Sequence, residues 1–341
     1  MSNPDSLFSA NGDQPPVKLI DLTPGFRFTD MICAISDKQQ RTASNGNIFL
    51  SCRLRDSSGE RRAIWFSPPA EALEGLAEAR LVRVKGYVEG QNPTYIGDIK
   101  IEDCRPEPEP DDLSPYLPPL PNDHGAQRAR FFEVVRAVST PSLFALLKEI
   151  FDPKGELWSQ FEAAPAAKNM HHAYRGGLLE HSAEVAQLCE RVASTLPYID
   201  RDLLITAALL HDIGKIQEMD IGLSAGEYTE AGNLVGHVVL GAQIVARAIE
   251  NIADFPATLK NELLHLILSH HNRPEHGAAK IPMNAEAIIL SSCDLMSARA
   301  AQCREALERG VSDDFASSKE IFGWESGKVY LGAMRRMKEG Q

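Results

Sequence analysis

A proline-rich segment divides this chain into two parts with different hydrophobic periods. Seven prolines fall between Pro106 and Pro121. Proline lacks a backbone N–H and disfavours helix in the residue before it, so neither a helix nor a central strand can run through this segment. Apolar residues recur at about every second position before it and at a period of about 3.6 residues after it. The sequence therefore predicts two folding units, joined by a stiff, acidic linker at 106–124.

The first unit is a series of short β-type runs separated by turn residues. Glycine-containing pairs at 45–46, 58–59 and 89–90 mark turns, and one helix-like insert lies at 69–79. Five strands in about 85 residues are most economically arranged as a small barrel, so we predict an OB-fold at 17–105. Positions 1–16 are polar, which predicts disorder. The predicted strands are 30–36, 48–55, 61–66, 80–88 and 95–102.

The second unit carries apolar residues at helical spacing throughout. Positions i, i+3, i+4 and i+7 are apolar in several successive segments, which predicts an all-α bundle at 125–341. Pro256 and Pro282 stand just ahead of two of these segments, where proline is tolerated. The predicted helices are 129–151, 178–194, 201–215, 235–251, 259–271, 284–308 and a last piece near 329–338.

Composition excludes several classes of protein. The chain of 341 residues has a formal charge of -12, which argues against a protein that simply coats nucleic acid. Positions 18–105 nevertheless hold 13 basic and 12 acidic side chains, so a local basic face is still open. No apolar run approaches the ~18 residues of a membrane span, and the polar start is not a signal peptide. Six scattered cysteines fit reduced thiols, so we expect a cytoplasmic protein.

Histidines and aspartates form a series along the helical unit. Nine of the ten histidines lie between His171 and His276, and clustering alone proves little because helical domains also bury histidines. The arrangement is more informative, since the members fall within or at the ends of different predicted helices. Imidazole and carboxylate are ligands of divalent metals, and converging helices would preassemble a site. The series is His181, His211, Asp212, His237, His270, His271 and Asp294.

This series resembles the H…HD…D pattern of the HD superfamily of metal-dependent phosphohydrolases, in its two-metal subgroup. The resemblance implies two divalent metals that share Asp212. The first would be held by His181, His211, Asp212 and Asp294. The second would be held by Asp212, His237, His270 and His271, the last either as a ligand or as a residue that orients one. Two bridged cations could activate a water molecule and neutralise charge on a phosphate.

Residues flanking the series are candidates for contacts with a substrate. Lys215, one helical turn beyond Asp212, is a candidate catalytic residue that places an ammonium near a phosphate oxygen. A solvated lysine near a helix end is the alternative. His172 and Arg175 precede the helix that carries His181 and could line the cleft, with structural packing as the alternative.

Family departures and domain order narrow the substrate class. The pair at 270–271 is not followed by the Gly-Tyr-Pro signature of the HD-GYP cyclic-dinucleotide phosphodiesterases. Alarmone hydrolases carry an acidic pair a few residues after HD, whereas Lys215, Ile216 and Gln217 follow here, so both families fit poorly. A barrel followed by HHAYRGGLLEHS (171–182), LLHDIGK (209–215) and SSCDLMSAR (291–299) is similar to the YhaM-type 3′-5′ exoribonucleases, over roughly 17–325. This resemblance implies trimming of single-stranded RNA, and also of single-stranded DNA, from the 3′ end. It implies Mn²⁺ as the metal, with Fe²⁺, Co²⁺ or Mg²⁺ as alternatives.

The barrel also offers residues for binding nucleic acid. Aromatic side chains can stack bases, and interleaved basic side chains can contact phosphates. Strand alternation sends about half of the aromatic side chains into the core, so Trp65 is either in the binding groove or in the core. The aromatic candidates are Phe49, Trp65, Phe66, Tyr87 and Tyr95. The basic candidates are Arg53, Arg55, Arg61, Arg62, Arg83 and Lys85, and among these Arg53, Arg55 and Arg62 are the predicted contacts, together with Trp65, His172 and Arg175.

The prediction is a metal-dependent 3′-5′ exoribonuclease. The barrel captures a single strand, and the helical unit hydrolyses the terminal phosphodiester to release nucleoside monophosphates. One alternative is a nucleotide or cyclic-nucleotide phosphohydrolase whose barrel only mediates assembly. Another is a non-enzymatic, replication-associated DNA-binding factor that uses metal structurally. A homo-oligomer is compatible with each reading.

Overall fold

The computed structural model describes residues 17–44, 46–90, 97–121, 123–168, 172–223, 227–308, 315–317 and 328–338. The chain divides into two compact units, Met1–Pro119 and Leu120–Gln341. The predicted disorder at 1–16 lies outside the described residues. Among those residues, no helix is both long and apolar enough to cross a membrane.

The first part of the proline-rich segment packs with the barrel instead of running free. Glu107 and Glu109 lie 2.7 Å from Arg83 and Arg80 respectively. These contacts explain why the unit boundary falls at 119, within the predicted linker. The stiff linker predicted at 106–124 stays a prediction, and its first part contacts the barrel.

The first unit is a closed five-stranded barrel, which confirms the predicted OB-like fold. The strands follow the order β1-β2-β3-β5-β4 around the barrel, and β3 pairs with β5 in parallel while the other neighbours pair antiparallel. One helix, α1, connects β3 to β4. The strands are β1 (Arg27–Thr42), β2 (Ile48–Asp56), β3 (Gly59–Phe66), β4 (Leu81–Val88) and β5 (Ile99–Pro106), and α1 spans Ala70–Leu76.

Alternation along β3 decides which aromatic side chains fill the barrel. Ala63 and Trp65 belong to the barrel core, and Trp65 is only 5% exposed. Phe66, one position further, points outward and is 57% exposed. Trp65 was a candidate for the binding groove, and that prediction is wrong because its side chain fills the core. Tyr95 lies outside the described residues.

The second unit is a helical bundle arranged around α6. Every residue from Leu203 to Leu210 is buried and all but Thr206 are apolar, so this part of the helix is buried on all sides and lies at the centre of the bundle. The described helices are α2 (His124–Arg136), α3 (Pro141–Ile150), α4 (Glu156–Ala163), α5 (Gly177–Thr195), α6 (Arg201–Leu210), α7 (Lys215–Glu218), α8 (Glu230–Leu234), α9 (His237–Glu250), α10 (Ala257–Ser269), α11 (Ala285–Glu308) and α12 (Gly332–Lys338).

Three predictions for this unit need correction. The single helix predicted at 129–151 breaks before Pro141, since proline keeps Thr140 extended (φ -64°, ψ 116°). The helix predicted at 201–215 ends at Leu210, and a turn follows. The unit is not purely helical either, because β6 (Phe315–Ser317) and β7 (Lys328–Tyr330) form a two-stranded antiparallel sheet.

Gly86 provides a test of the barrel. A Cβ at this position would lie 2.3 Å from the carbonyl oxygen of Lys100 on β5, so Gly86→Ala must push β4 and β5 apart. We expect the substitution to destabilise the barrel by about 1–3 kcal/mol. Hydrogen exchange of the β4 and β5 amides, followed by mass spectrometry, measures the effect.

Gly75→Ala in α1 is the matched control. Its nearest neighbour would be Pro106 Cγ at an ordinary 3.7 Å, so this substitution should leave protection unchanged or raise it by ~0.4–1 kcal/mol. If the β4 and β5 amides of Gly86→Ala exchange as slowly as those of the wild type, the close approach of Gly86 to the Lys100 carbonyl is contradicted.

Candidate metal centre

The turn after α6 brings a histidine and an aspartate into the bundle interior. Because α6 is buried all round, the residues directly after it are buried too, and His211 is 0% and Asp212 2% exposed. The chain then passes close to α9. A Cβ on Gly214 would lie 2.0 Å from the carbonyl oxygen of His237, so only glycine allows α9 to approach this turn. The Asp-Ile-Gly sequence thus sets the distance between the turn and His237.

The first donor group faces one oxygen of Asp212. His181 Nε2 lies 3.5 Å and His211 Nε2 3.4 Å from Asp212 Oδ2. The two imidazole nitrogens are 3.3 Å apart. Asp294 Oδ1, from α11, completes the group at 3.1 Å from His181 Nε2.

The second donor group faces the other oxygen of Asp212. His237 Nε2 lies 3.4 Å and His270 Nε2 3.5 Å from Asp212 Oδ1. His271 joins this group, since its Nε2 is 2.8 Å from His237 Nε2. Ligand atoms of these four residues all lie within 4.8 Å of one another. One carboxylate therefore stands between two sets of converging donors.

Hydrogen bonds at the outer ring nitrogens orient the imidazoles. His211 Nδ1 contacts the carbonyl oxygen of Ala208 at 2.8 Å, and His270 Nδ1 contacts that of Ile267 at 2.7 Å. Since a carbonyl only accepts, each Nδ1 carries a proton, and each ring in its neutral form then presents the lone pair of its Nε2 to the centre. This tautomer is the one that binds a metal through Nε2.

His237 is oriented by a carboxylate instead of a carbonyl. Glu218 Oε1 accepts hydrogen bonds from the backbone N–H of His237 at 3.0 Å and from its Nδ1 at 2.8 Å. Glu218 lies on α7, and it is largely buried. A carboxylate on Nδ1 makes the opposite nitrogen a stronger donor to a metal.

Two buried polar atoms at the centre have the chemistry of metal donors. Asp212 Oδ1 and His270 Nε2 have no hydrogen-bond partner among the described residues. A buried carboxylate oxygen and a buried imidazole nitrogen left without partners cost free energy. Both atoms are metal donors and both face the same point, so the residues present fit divalent cations.

Charge at the centre favours binding of a cation. Burial would raise the pKa of Asp212, but Lys215 and then His211 hold it well below its usual range. Burial lowers the pKa of His271 to about 2, and His270 and His237 add to this effect. At neutral pH the centre therefore offers an ionised Asp212 and a neutral His271, as metal binding requires.

Lys215 lies directly against the shared carboxylate. Its Nζ is 2.6 Å from Asp212 Oδ2, and its side chain is mostly buried. Burial opposes its charged form, but Asp212 raises the pKa of the ammonium. The reading of Lys215 as a solvated surface residue is therefore wrong.

The structure separates the two substrate candidates that precede α5. His172 is 0% exposed, with Nδ1 3.0 Å from the Tyr174 hydroxyl and Nε2 3.3 Å from Glu184. A completely buried ring cannot touch a substrate, so its prediction as a nucleic-acid contact is wrong. Arg175 is half-buried, burial lowers its pKa, and its role stays a prediction. His171 lies outside the described residues.

His172 instead belongs to a buried polar network beside the first donor group. Glu184 accepts a hydrogen bond from Ser297 Oγ at 3.1 Å, and Ser297 Oγ lies 3.4 Å from His181 Nδ1. The network orients His181 on its outer side. Sequence reasoning missed Glu184, Ser297 and Glu218, because a carboxylate or hydroxyl on an amphipathic helix carries no local signal of such a role.

The basic candidates of the barrel are paired with acids. Arg53 and Arg55 each lie 2.6 Å from the carboxylate of Glu60. Arg62 lies 3.7 Å from Asp98. Their predicted contacts with phosphate stay predictions, and any such contact must compete with these carboxylates.

Comparisons with known proteins add family information to this geometry. The model of the HD domain family matches residues 178–299, a stretch that contains all seven donor residues. A second model, that of a candidate helicase family, matches residues 131–198. The 3′-5′ exoribonuclease YhaM of Listeria monocytogenes is 32% identical over 324 residues, which cover 92% of this chain and 97% of the relative. The YhaM of Bacillus subtilis is 30% identical over 307 residues, which cover 88% and 94%.

A solved OB-fold structure matches part of this chain. The second OB-fold domain of replication protein A from Methanococcus maripaludis matches 28% of this chain and 98% of its own chain. The identity is 17% and the TM-score 0.21. The strand order β1-β2-β3-β5-β4 by itself defines the OB-like barrel.

Glu218→Gln tests the orientation of His237. The amide keeps the shape of the side chain but removes the charge that strengthens His237 as a donor, so we expect Mn²⁺ binding at the second donor group to weaken roughly 10- to 100-fold. Isothermal titration with Mn²⁺ measures the change. Glu227→Gln, on a partly exposed side chain 4.0 Å from Lys168, is the control. Unaltered binding in Glu218→Gln would show that the backbone alone orients His237.

Proposed function

The chain belongs to the YhaM family of 3′-5′ exoribonucleases, and we propose that it degrades single-stranded RNA stepwise from the 3′ end with two divalent cations. The main support for two cations is the position of Asp212, which directs one oxygen to each donor group. Membership in the family and the HD domain make the protein a hydrolytic nuclease that depends on divalent metal. We propose the number of cations, their identity and the single-stranded substrate.

Each donor group would hold one cation, with Asp212 shared between them. The first group is His181, His211 and Asp294, and the second is His237, His270 and His271. Mixed nitrogen and oxygen donors suit borderline divalent metals, and we propose Mn²⁺. When bound, two such cations lower the pKa of an attacking water and neutralise charge on the phosphate.

The side chains of the protein prepare the site for an anionic substrate. Buried imidazoles with fixed Nδ1 protons keep their lone pairs directed inward, so little reorganisation is needed when the substrate binds. Lys215 adds a positive charge beside the shared carboxylate. We propose that this ammonium stabilises the charge that develops on the phosphate as water attacks. The bond between the phosphorus and the 3′-oxygen of the preceding nucleoside breaks, the shortened strand keeps a 3′-hydroxyl, and the terminal residue leaves as a nucleoside 5′-monophosphate.

The barrel would hold the strand while the helical unit cleaves it. Its strand order is that of an OB-like barrel, a fold that binds oligonucleotides on its outer face. Single-stranded DNA is a second substrate in this proposal. The cysteines are all free thiols, which supports our proposal that the protein works in the cytoplasm.

A labelled-strand assay tests this function. The purified protein is incubated with Mn²⁺ and a single-stranded RNA labelled at its 5′ end, next to an RNA blocked by a 3′-phosphate. We expect a ladder of progressively shorter labelled products, slowed by the block. Asp212→Asn should lose more than the roughly 10- to 100-fold typical of an outer-shell residue, because it removes the ligand shared by both groups.

Asp254→Asn is the matched control, since it makes the same chemical change on an exposed loop residue with positive φ (55°). It should digest RNA at the wild-type rate. Activity on mononucleotides or cyclic dinucleotides without any ladder would overturn the exonuclease and favour a small-molecule phosphohydrolase.

Lys215→Met separates a catalytic lysine from one that only balances charge. The ammonium competes with cations for Asp212 Oδ2 at 2.6 Å, so its removal should tighten Mn²⁺ binding. If the ammonium also stabilises the reacting phosphate, kcat should fall by about 10- to 100-fold while Mn²⁺ saturates more readily. Titration calorimetry and steady-state rates provide the two readouts. An unchanged kcat would contradict the catalytic role.

A further inference from the structure

Five residues whose side chains lie outside the barrel core form a continuous stripe across all five strands, and the lysine among them is only 9% exposed. Arg27 on β1 pairs with Tyr87 on β4, and Tyr87 pairs with Lys100 on β5. On the other side, Phe49 on β2 pairs with Phe66 on β3. Lys100 connects the two halves, because its Nζ lies 5.0 Å from the ring centre of Phe66. We call these five residues the aromatic stripe.

The alternation of the strands places this stripe on the outside. The neighbours of its members along the chain belong to the barrel core, and since side chains alternate between faces, the stripe residues point away from it. These core neighbours are Phe28, Leu50, Trp65, Val88, Ile99 and Ile101. The rings of the stripe are therefore not needed to fill the barrel, and Phe66 is more than half exposed.

Each half of the stripe combines an aromatic ring with a cation. The guanidinium carbon of Arg27 lies 4.7 Å from the ring centre of Tyr87. Phe66 has Lys100 on one side and the Phe49 ring 5.9 Å away on the other, tilted by 41°. Rings and guanidinium planes are both surfaces on which unpaired bases stack.

The cations of the stripe are neutralised by neighbouring carboxylates. Arg27 Nη1 lies 2.6 Å from Glu102, and Lys100 Nζ lies 2.9 Å from Glu89. The stripe therefore carries little net charge. Affinity that comes from phosphate contacts requires net positive charge, because it arises from the release of counterions. A strand bound here must gain most of its affinity from its bases.

From these contacts we propose that the aromatic stripe binds single-stranded nucleic acid by base stacking, with only a small electrostatic contribution. Bases stack on Phe66, Phe49 and Tyr87, while the exposed Arg27 meets the backbone. Duplexes are rejected because their bases are already paired and stacked. This inference rests on the proposed function and names the surface and the force by which the barrel captures its substrate.

Binding assays on the full chain in EDTA, where hydrolysis is blocked, test the stripe. The probes are a short fluorescent single-stranded RNA, a strand of equal length and charge without bases, and the corresponding RNA duplex. We expect the base-free strand and the duplex to bind much more weakly than the RNA. With one exposed cation in the stripe, log K should fall with log salt at a slope of roughly -0.7.

Substitutions in the stripe provide the second arm. Phe66→Leu and Tyr87→Leu keep apolar bulk but remove the ring, and each should weaken RNA binding roughly 5- to 150-fold. Phe66→Tyr and Tyr87→Phe keep a ring and should restore wild-type affinity. Ile20→Ala, at an exposed apolar residue of the same unit outside the stripe, should change nothing. Circular dichroism checks that each variant is folded.

Two results would overturn the stripe. One is equal binding of the base-free strand and the RNA with a salt slope of roughly -4 or steeper, which indicates phosphate-driven capture. The other is wild-type affinity in Phe66→Leu and Tyr87→Leu. If either occurs while the wild-type protein still produces the ladder, the exonuclease stands and only the stripe fails. Absence of the ladder is instead a failure of the proposed function.

Discussion

The helical unit depends on one buried carboxylate that two sets of histidines share. Asp212 is 2% exposed and has imidazole nitrogens 3.4–3.5 Å from both of its oxygens. A charge in such a place is costly unless it is compensated. Lys215 supplies part of that compensation, and two orphaned donor atoms show that the protein side chains alone do not complete it. The centre is thus built to be completed by cations, which is consistent with the HD domain that the chain matches.

Packing around α6 is what makes so polar a centre possible. From Leu203 to Leu210 the helix is buried on all sides, and the turn after it has a glycine at the one point where α9 approaches. Carbonyls of Ala208 and Ile267 and the carboxylate of Glu218 then orient three of the imidazoles. The surroundings of the donors therefore decide their tautomers and the direction of their lone pairs.

The barrel uses electrostatics differently. Nearby carboxylates neutralise the basic side chains that were predicted to contact nucleic acid. Glu60, for example, forms ion pairs with both Arg53 and Arg55. Exposed aromatic rings such as that of Phe66 remain as the characteristic outward-facing side chains of β3. In the function that we propose, the helical unit would supply positive charge to the reacting phosphate. The barrel would supply aromatic rings on which the bases stack. The division fits an enzyme that must hold a strand without fixing its sequence.

The sequence by itself predicted two units and determined the barrel class, and it singled out the seven His and Asp side chains that the structure brings together. These depend on hydrophobic period and on residue types whose chemistry is distinctive even without coordinates. Only the tertiary structure decided that Trp65 fills the core, that His172 is buried against Tyr174 and Glu184, and that the helix predicted at 129–151 is broken. It also decided which oxygen of Asp212 faces which donors. The physical reason is that burial and pairing depend on neighbours distant in the chain, whereas period and residue type are local.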